Sequence, residues 1–186
     1  DEKAAVLEEL GVDWVVTLPF NERRAQITAS DFIGQLRRDL DFCEFWCGRD
    51  FAFGHGRQGD VYWLREHSGE FGFRLHVADP VRRDGGVISS SIVRDYIRLG
   101  DVAGAMRCLG RPLRIPGTVE TGSGRGLSIG IPTANLAVWD ERVRPAAGVY
   151  AAFAWLGEER YYAVVNVGLR PTFDDGGGVT VEAHLL

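Results

Sequence analysis

The chain has 186 residues, with 45% hydrophobic and 25% charged side chains, a balance that allows a sizeable buried core and gives no indication of disorder. A formal net charge of −5, with arginines scattered rather than striped, argues against a surface built to neutralise nucleic-acid phosphates. The length exceeds one average domain and falls short of two, which predicts two small or truncated units.

A helix is predicted over residues 2–10, stopped by Gly11, and the apolar run 12–18 reads as a buried strand. Thr28-Ala-Ser-Asp31 resembles a capping box, with Phe32, Leu36 and Leu40 at helical spacing behind it. A strand over 42–47, a loop over 48–60, a helix over 61–70 and a strand over 73–78 follow, which is the β-α-β order of a parallel sheet. Cys43 and Cys47 share the first of these strands, where four residues span roughly 13 Å, too far for a disulfide or a shared metal. Both are read as core thiols.

Two helices over 91–99 and 101–109 each start polar and stop at a glycine, Gly100 and Gly110, and Arg111-Pro112 marks a boundary. Beyond it the period becomes two: Leu113, Ile115 and Val119 alternate with polar residues, and further strands are predicted over 149–156, 161–167 and 179–186. Gly157-Glu-Glu-Arg160 is a short hairpin link, and Gly176-Gly-Gly178 joins less regular ends. A small antiparallel barrel is the simplest way to satisfy the edges of so few strands.

No apolar run approaches the eighteen or so residues that cross a bilayer, and the acidic start Asp1-Glu2 does not suit a signal peptide. Three cysteines, an odd number, point to a reducing compartment, with cytoplasm the default. Lys3 is the only lysine, which excludes a Walker-type loop and leaves phosphate recognition to arginine, backbone N–H groups or a metal.

Three segments carry chemistry. Thr121-Gly-Ser-Gly-Arg-Gly126 is a glycine loop whose N–H groups can approach an anion, with Arg125 adding a bidentate contact. Alone it reads as a flexible hairpin. Gly130-Ile-Pro-Thr-Ala-Asn135 follows it, and the Thr133 hydroxyl and Asn135 carbonyl are hard neutral oxygens suited to Mg²⁺. In Val179-Thr-Val-Glu-Ala-His-Leu-Leu186, alternation puts Thr180, Glu182 and His184 on the face opposite Val179, Val181 and Ala183. Glu182 can accept a proton late in a loose phosphoryl transfer, and the bland alternative is a solvated strand face.

Ser89-Ser-Ser91 enters a helix with Arg94 one turn inside, an anion site or a plain N-cap. The loop over 48–59 follows a strand, where ligands sit in parallel sheets, and carries Arg49, Asp50 and Arg57. Its glycine spacing does not match a dinucleotide fingerprint. His67 and His76 are read as structural.

Taken together, Gly-Arg-Gly126, Gly130-Ile-Pro-Thr-Ala-Asn135, Gly148-Val-Tyr150, Asn166-Val-Gly-Leu-Arg-Pro-Thr-Phe173 and Val181-Glu-Ala-His184 resemble the bacterial bifunctional riboflavin kinase/FMN adenylyltransferases, also called FAD synthetases. Gly48-Arg-Asp-Phe-Ala-Phe-Gly54 and Ile88-Ser-Ser-Ser-Ile-Val-Arg94 resemble that family's other half. The resemblance implies an α/β nucleotidyltransferase-like, Rossmann-like part over residues 1–110 and a riboflavin kinase-like antiparallel β-barrel over 111–186.

It implies that Thr133 and Asn135 hold Mg²⁺ and ATP phosphates beside Gly124, Arg125 and Gly126, and that Glu182 activates the ribityl hydroxyl. Ser90, Ser91 and Arg94 would contact ATP in adenylyl transfer, with Asp50 on the flavin side. ATP, riboflavin and FMN are the implied small-molecule partners, without nucleic acid or membrane and with self-association left open. The family's His-x-Gly-His motif belongs ahead of Asp1 and a strand and helix belong beyond Leu186, so the chain reads as a fragment lacking both ends. The rival readings are a non-catalytic flavin- or nucleotide-binding regulatory module and, more weakly, a nucleic-acid-binding barrel.

Overall fold

The computed structural model describes residues 2–121, 130–139, 141–169 and 179–186, in two compact units, Asp1–Pro80 and Val81–Leu186. In the first unit, α1 (Glu2–Glu9) gives way to Gly11, whose φ of +83° favours glycine. The strand predicted over 12–18 is not formed: residues 12–20 have no regular structure, and Trp14 and Phe20 are 88% and 86% exposed. A strand exists only as part of a ladder, and among the described residues none pairs with this run.

Asn21 caps the single turn α2 (Glu22–Ala25). The N-cap half of the expected capping box is formed at α3 (Ala29–Leu40): Asp31 N–H donates to Thr28 Oγ1 at 3.1 Å, and the Asp31 carboxylate accepts from the Thr28 hydroxyl at 2.8 Å rather than from its backbone N–H. β1 (Glu44–Gly48) runs parallel to β4 (Arg74–Ala78), and the crossover between them carries α4 (Val61–Phe71), capped by Asp60 and closed by left-handed Gly72. The predicted β-α-β winding is thus formed. β2 (Ala52–Phe53) and β3 (Gly59–Asp60) make a small antiparallel pair inside the loop between β1 and α4.

The core of this unit joins Ala29 and Ile33 of α3, Cys47 of β1, Phe53 of β2, Val61 and Leu64 of α4, and Phe73. Burial pushes the Cys47 thiol above its ordinary pKa, opposed by the Arg65 charge, as suits an inert core thiol. Cys43 does not join it. That side chain is exposed because it precedes the ladder, correcting its reading as a core thiol.

Gly54 lies at φ +75°, and a Cβ there would stand 2.7 Å from the Ala29 nitrogen and 2.9 Å from its Cα. Gly54→Ala therefore combines left-handed strain with overpacking and is expected to destabilise the first unit by about 2 kcal/mol. Gly56→Ala, at φ +60° and ψ +19° with open space around it, carries left-handed strain alone and should cost about 1 kcal/mol. Urea midpoints measure both, and a Gly54→Ala midpoint no lower than that of Gly56→Ala would show that neither the extended positive-φ backbone of Gly54, at ψ 169°, nor its contact with α3 adds to the loss.

In the second unit, β5 (Arg82–Arg83) and β6 (Gly86–Val87) form a hairpin through Asp84-Gly85, with φ of +49° and +82°. Two left-handed central residues mark a type I′ turn. α5 (Ser90–Arg98) starts directly after it with Ser89 as cap, and α6 (Val102–Leu109) is capped by Asp101 and closed by Gly110.

One antiparallel sheet of the barrel type forms in the order β7 (Thr118–Glu120), β8 (Ala134–Ala137), β11 (Val179–Leu185), β10 (Glu159–Leu169), β9 (Gly148–Leu156): β9, β10 and β11 are the strands predicted by alternation, the alternation from Leu113 gives a strand only at β7, and β8 is not among the predicted strands. Ala163, Val167, Val181 and Ala183 bury one face. The end of α5 abuts this sheet, since a Cβ at Gly100 would lie 2.9 Å from Tyr150 Oη, which itself donates to the Ala146 carbonyl at 2.6 Å.

Candidate active site

The face of the sheet opposite the buried alanines and valines is set by register. Glu120 of β7 lies opposite Asn135 of β8, Asn135 opposite Glu182 of β11, and Glu182 opposite Asn166 of β10. Directly opposed residues share a face, with Cβ atoms about 4.5–5.5 Å apart, so these four polar residues form one continuous row across four strands. The expected alternation in β11 holds: Val181 and Ala183 are buried, while Thr180, Glu182 and His184 occupy the other face at intermediate exposure.

Glu182 is half-buried between two neutral amides, Asn135 and Asn166. Neither Glu182 nor Glu120 has an ion pair among the described residues. An amide on each side can donate to a carboxylate without neutralising it, so Glu182 keeps acceptor capacity for the proton of an alcohol.

Thr133 is half-buried and immediately precedes β8. Its turn is joined to β11 by His184, whose Nδ1 lies 2.7 Å from the Pro132 carbonyl oxygen. Among the described residues there is no group of three or more His, Cys, Asp or Glu that could hold a metal ion. A cation at this face would rest on the neutral oxygens of Thr133 and Asn135 with carboxylate help, a donor set that fits a hard divalent ion keeping water and phosphate ligands.

Gly124, Arg125 and Gly126 lie outside the described residues, as do Arg170 to Phe173 of the Asn166 motif. In the first unit Asp50 is exposed in the turn after β1, and its neighbour Arg49 donates through Nε to Asp79 at 2.8 Å. In the second unit Ser89 accepts the capping bond from Ile92 N–H at 3.3 Å, leaving Ser90 and Ser91 as the first residues of α5 with Arg94 one turn inside, all three exposed. The capping role thus falls to a different serine from the two assigned to ATP.

His67 and His76 are packed as expected: each stacks on a tryptophan at 4.2 Å, His67 on Trp63 and His76 on Trp46.

Two members of the polar row were not singled out as site residues. Asn166 opens a motif already noted, so the signal was present. Glu120 carries none, because only the pairing of β7 with β8 brings it beside Asn135.

Residues 1–92 match the FAD synthetase family and residues 109–186 the riboflavin kinase family. The bifunctional riboflavin kinase/FMN adenylyltransferase of Escherichia coli K12 is 38% identical over 187 residues, taking in 100% of this chain and 59% of the relative. That of Pseudomonas fluorescens is 36% identical, with 99% and 59% covered, and that of Bacillus subtilis 33% identical, with 93% and 54% covered. A crystal structure of a macrolide-efflux protein from Streptococcus pneumoniae superposes with a TM-score of 0.88 at 32% identity, over 99% of this chain and 59% of that one. The chain thus spans 59% of the length of the first curated relatives.

Proposed function

Residues 1–92 belong to the FAD synthetase family and residues 109–186 to the riboflavin kinase family, and from that premise we propose that the protein carrying this sequence makes flavin cofactors with ATP. Riboflavin is phosphorylated to FMN in the part over residues 111–186, and FMN is adenylylated to FAD with the part over 1–110. The observation that carries the reading is the row Asn135, Glu182, Asn166 on one face of the sheet in the riboflavin kinase segment.

The ribityl hydroxyl of riboflavin is placed at Glu182. As its oxygen bonds to the γ-phosphorus and the bond to the β-γ bridging oxygen of ATP breaks, its proton passes to the Glu182 carboxylate and ADP leaves. Asn166 and Asn135, opposite Glu182 on either side, hold the carboxylate in place. Thr133 and Asn135 would hold Mg²⁺, which when bound neutralises phosphate charge, and Gly124, Arg125 and Gly126 line the phosphates. In adenylyl transfer Ser90 and Ser91 would offer hydroxyls and N–H groups at the start of α5 and Arg94 would add a cation, while Asp50, in the first unit, is assigned to the flavin by the resemblance alone.

Three free cysteines suit a reducing, cytoplasmic setting. Among the described residues no helix is long and apolar enough to cross a membrane. The efflux activity in the name of the S. pneumoniae neighbour ranks below the flavin reading, because both family matches and the curated relatives name flavin enzymes. The same matches disfavour a purely regulatory binding module.

Supplied with riboflavin and Mg-ATP, the full-length protein should yield FMN and ADP by chromatography, with neither formed when one substrate is omitted. Asn135→Ala removes a side-chain amide whose carbonyl is proposed to face the cation and whose NH2 is proposed to face Glu182, and should raise KM for Mg-ATP at least about tenfold. Binding of flavin without any ADP would favour the regulatory module and overturn the reading.

A further inference from the structure

We propose that His184 is a positioning residue: its ring ties the turn carrying Thr133 to the strand carrying Glu182, and so sets the phosphate-side groups against the proton acceptor. The inference rests on the phosphotransfer reading above. The backbone pairing of β8 with β11 runs Leu136↔Val181, Asn135↔Glu182, Ala134↔Ala183 and ends there, one residue after Thr133. Past that end, the His184 bond to the Pro132 carbonyl is the side-chain hydrogen bond that joins the turn to β11 among the described residues, and it bridges 52 positions of sequence.

The chemistry of this bond is determined by its partners. A carbonyl only accepts, so Nδ1 carries the hydrogen, in the neutral ring and in the imidazolium alike. Proline has no N–H, so the carbonyl is the one backbone group through which the strand can hold Pro132 by a hydrogen bond. Fixing it orients the peptide that leads into Thr133, while His184 itself stands two residues from Glu182 on the same face. A site whose two halves come from separate strands needs such a tie, because a displacement of an ångström between reacting groups is costly in rate.

His184→Phe keeps an aromatic ring and removes the donor, whereas the side-chain amide of His184→Asn places an N–H near the position of Nδ1. With the whole chain, His184→Phe is expected to speed hydrogen exchange at the Thr133 and Ala134 amides, to raise KM for Mg-ATP and to lower kcat, each about tenfold, with the riboflavin KM within about twofold. His184→Asn should restore all three. Unchanged exchange in His184→Phe overturns the tie, and faster exchange with an unchanged Mg-ATP KM overturns the positioning role. If Asn fails to restore what Phe loses, ring packing and not the donor is responsible, and the proposal falls. If the parent protein forms no FMN at all, the phosphotransfer reading fails and the positioning role with it, whereas the exchange comparison still reports separately whether the tie exists.

Discussion

Glu182→Gln is expected to lower the rate of FMN formation by about 10²- to 10³-fold, while KM for riboflavin and for Mg-ATP changes only a few-fold. Glutamine has the size of glutamate, and the pairing that sets Glu182 opposite Asn135 and Asn166 is made by the backbone, so the row in the sheet is kept. What it cannot do is take up the proton of the ribityl hydroxyl. A loss confined to kcat therefore isolates proton acceptance from binding, since an interaction made only in the transition state lowers kcat and kcat/KM together. Adenylylation of added FMN by the full-length protein should continue unchanged, because the residues proposed for it, Asp50, Ser90, Ser91 and Arg94, lie on other elements. Turnover of the variant within a few-fold of the parent would remove Glu182 from the mechanism. Glu182 is half-buried and lacks an ion pair among the described residues, so the urea midpoint should move little.

The largest effect on stability is expected at Leu64. This side chain of α4 is fully buried, in one core with Ile33 of α3, Phe53, Cys47 of β1 and Phe73. Leu64→Ala deletes three carbon atoms, losing their transfer free energy and leaving a cavity between a helix and a parallel strand pair that can collapse only partly, and should cost about 3–4 kcal/mol. That is a large share of the 5–15 kcal/mol typical of a whole domain. Tryptophan fluorescence in urea provides the measurement, since Trp63 packs against this core. Leu10→Ala, at a site 75% exposed, serves as the comparison and should stay within about 0.5 kcal/mol. A Leu64→Ala loss below about 1 kcal/mol would mean that the core does not close around α4.

Helix caps and stops are legible in the sequence because their cause is local. Thr28, Asp60 and Asp101 each accept the bond from a backbone N–H three residues on, because a short oxygen side chain before a helix can satisfy a donor that the helix leaves open. Gly72 and Gly110 end α4 and α6 in the left-handed region that glycine enters freely. The hairpin at Asp84-Gly85 was equally legible, since that dipeptide is among the strongest short-range turn signals, and it was passed over between two longer patterns. Residues 12–18 show the opposite failure: their apolar run fits a buried strand by composition, but a strand is stabilised by neighbours that no composition supplies.

For the candidate site the division is similar. The sequence by itself determined the chemical groups: a glycine loop with Arg125, hydroxyl and amide oxygens at Thr133 and Asn135, a carboxylate at Glu182, and serines with Arg94 at a helix start. It also determined that Glu182 and His184 share a face, because side chains in a strand alternate with period two. Only the tertiary structure decided which other residues stand in line with them. Strand register depends on long-range hydrogen bonds and on which face is buried, so the row Glu120, Asn135, Glu182, Asn166 and the bond from His184 to Pro132 exist only once β7, β8, β11 and β10 are paired.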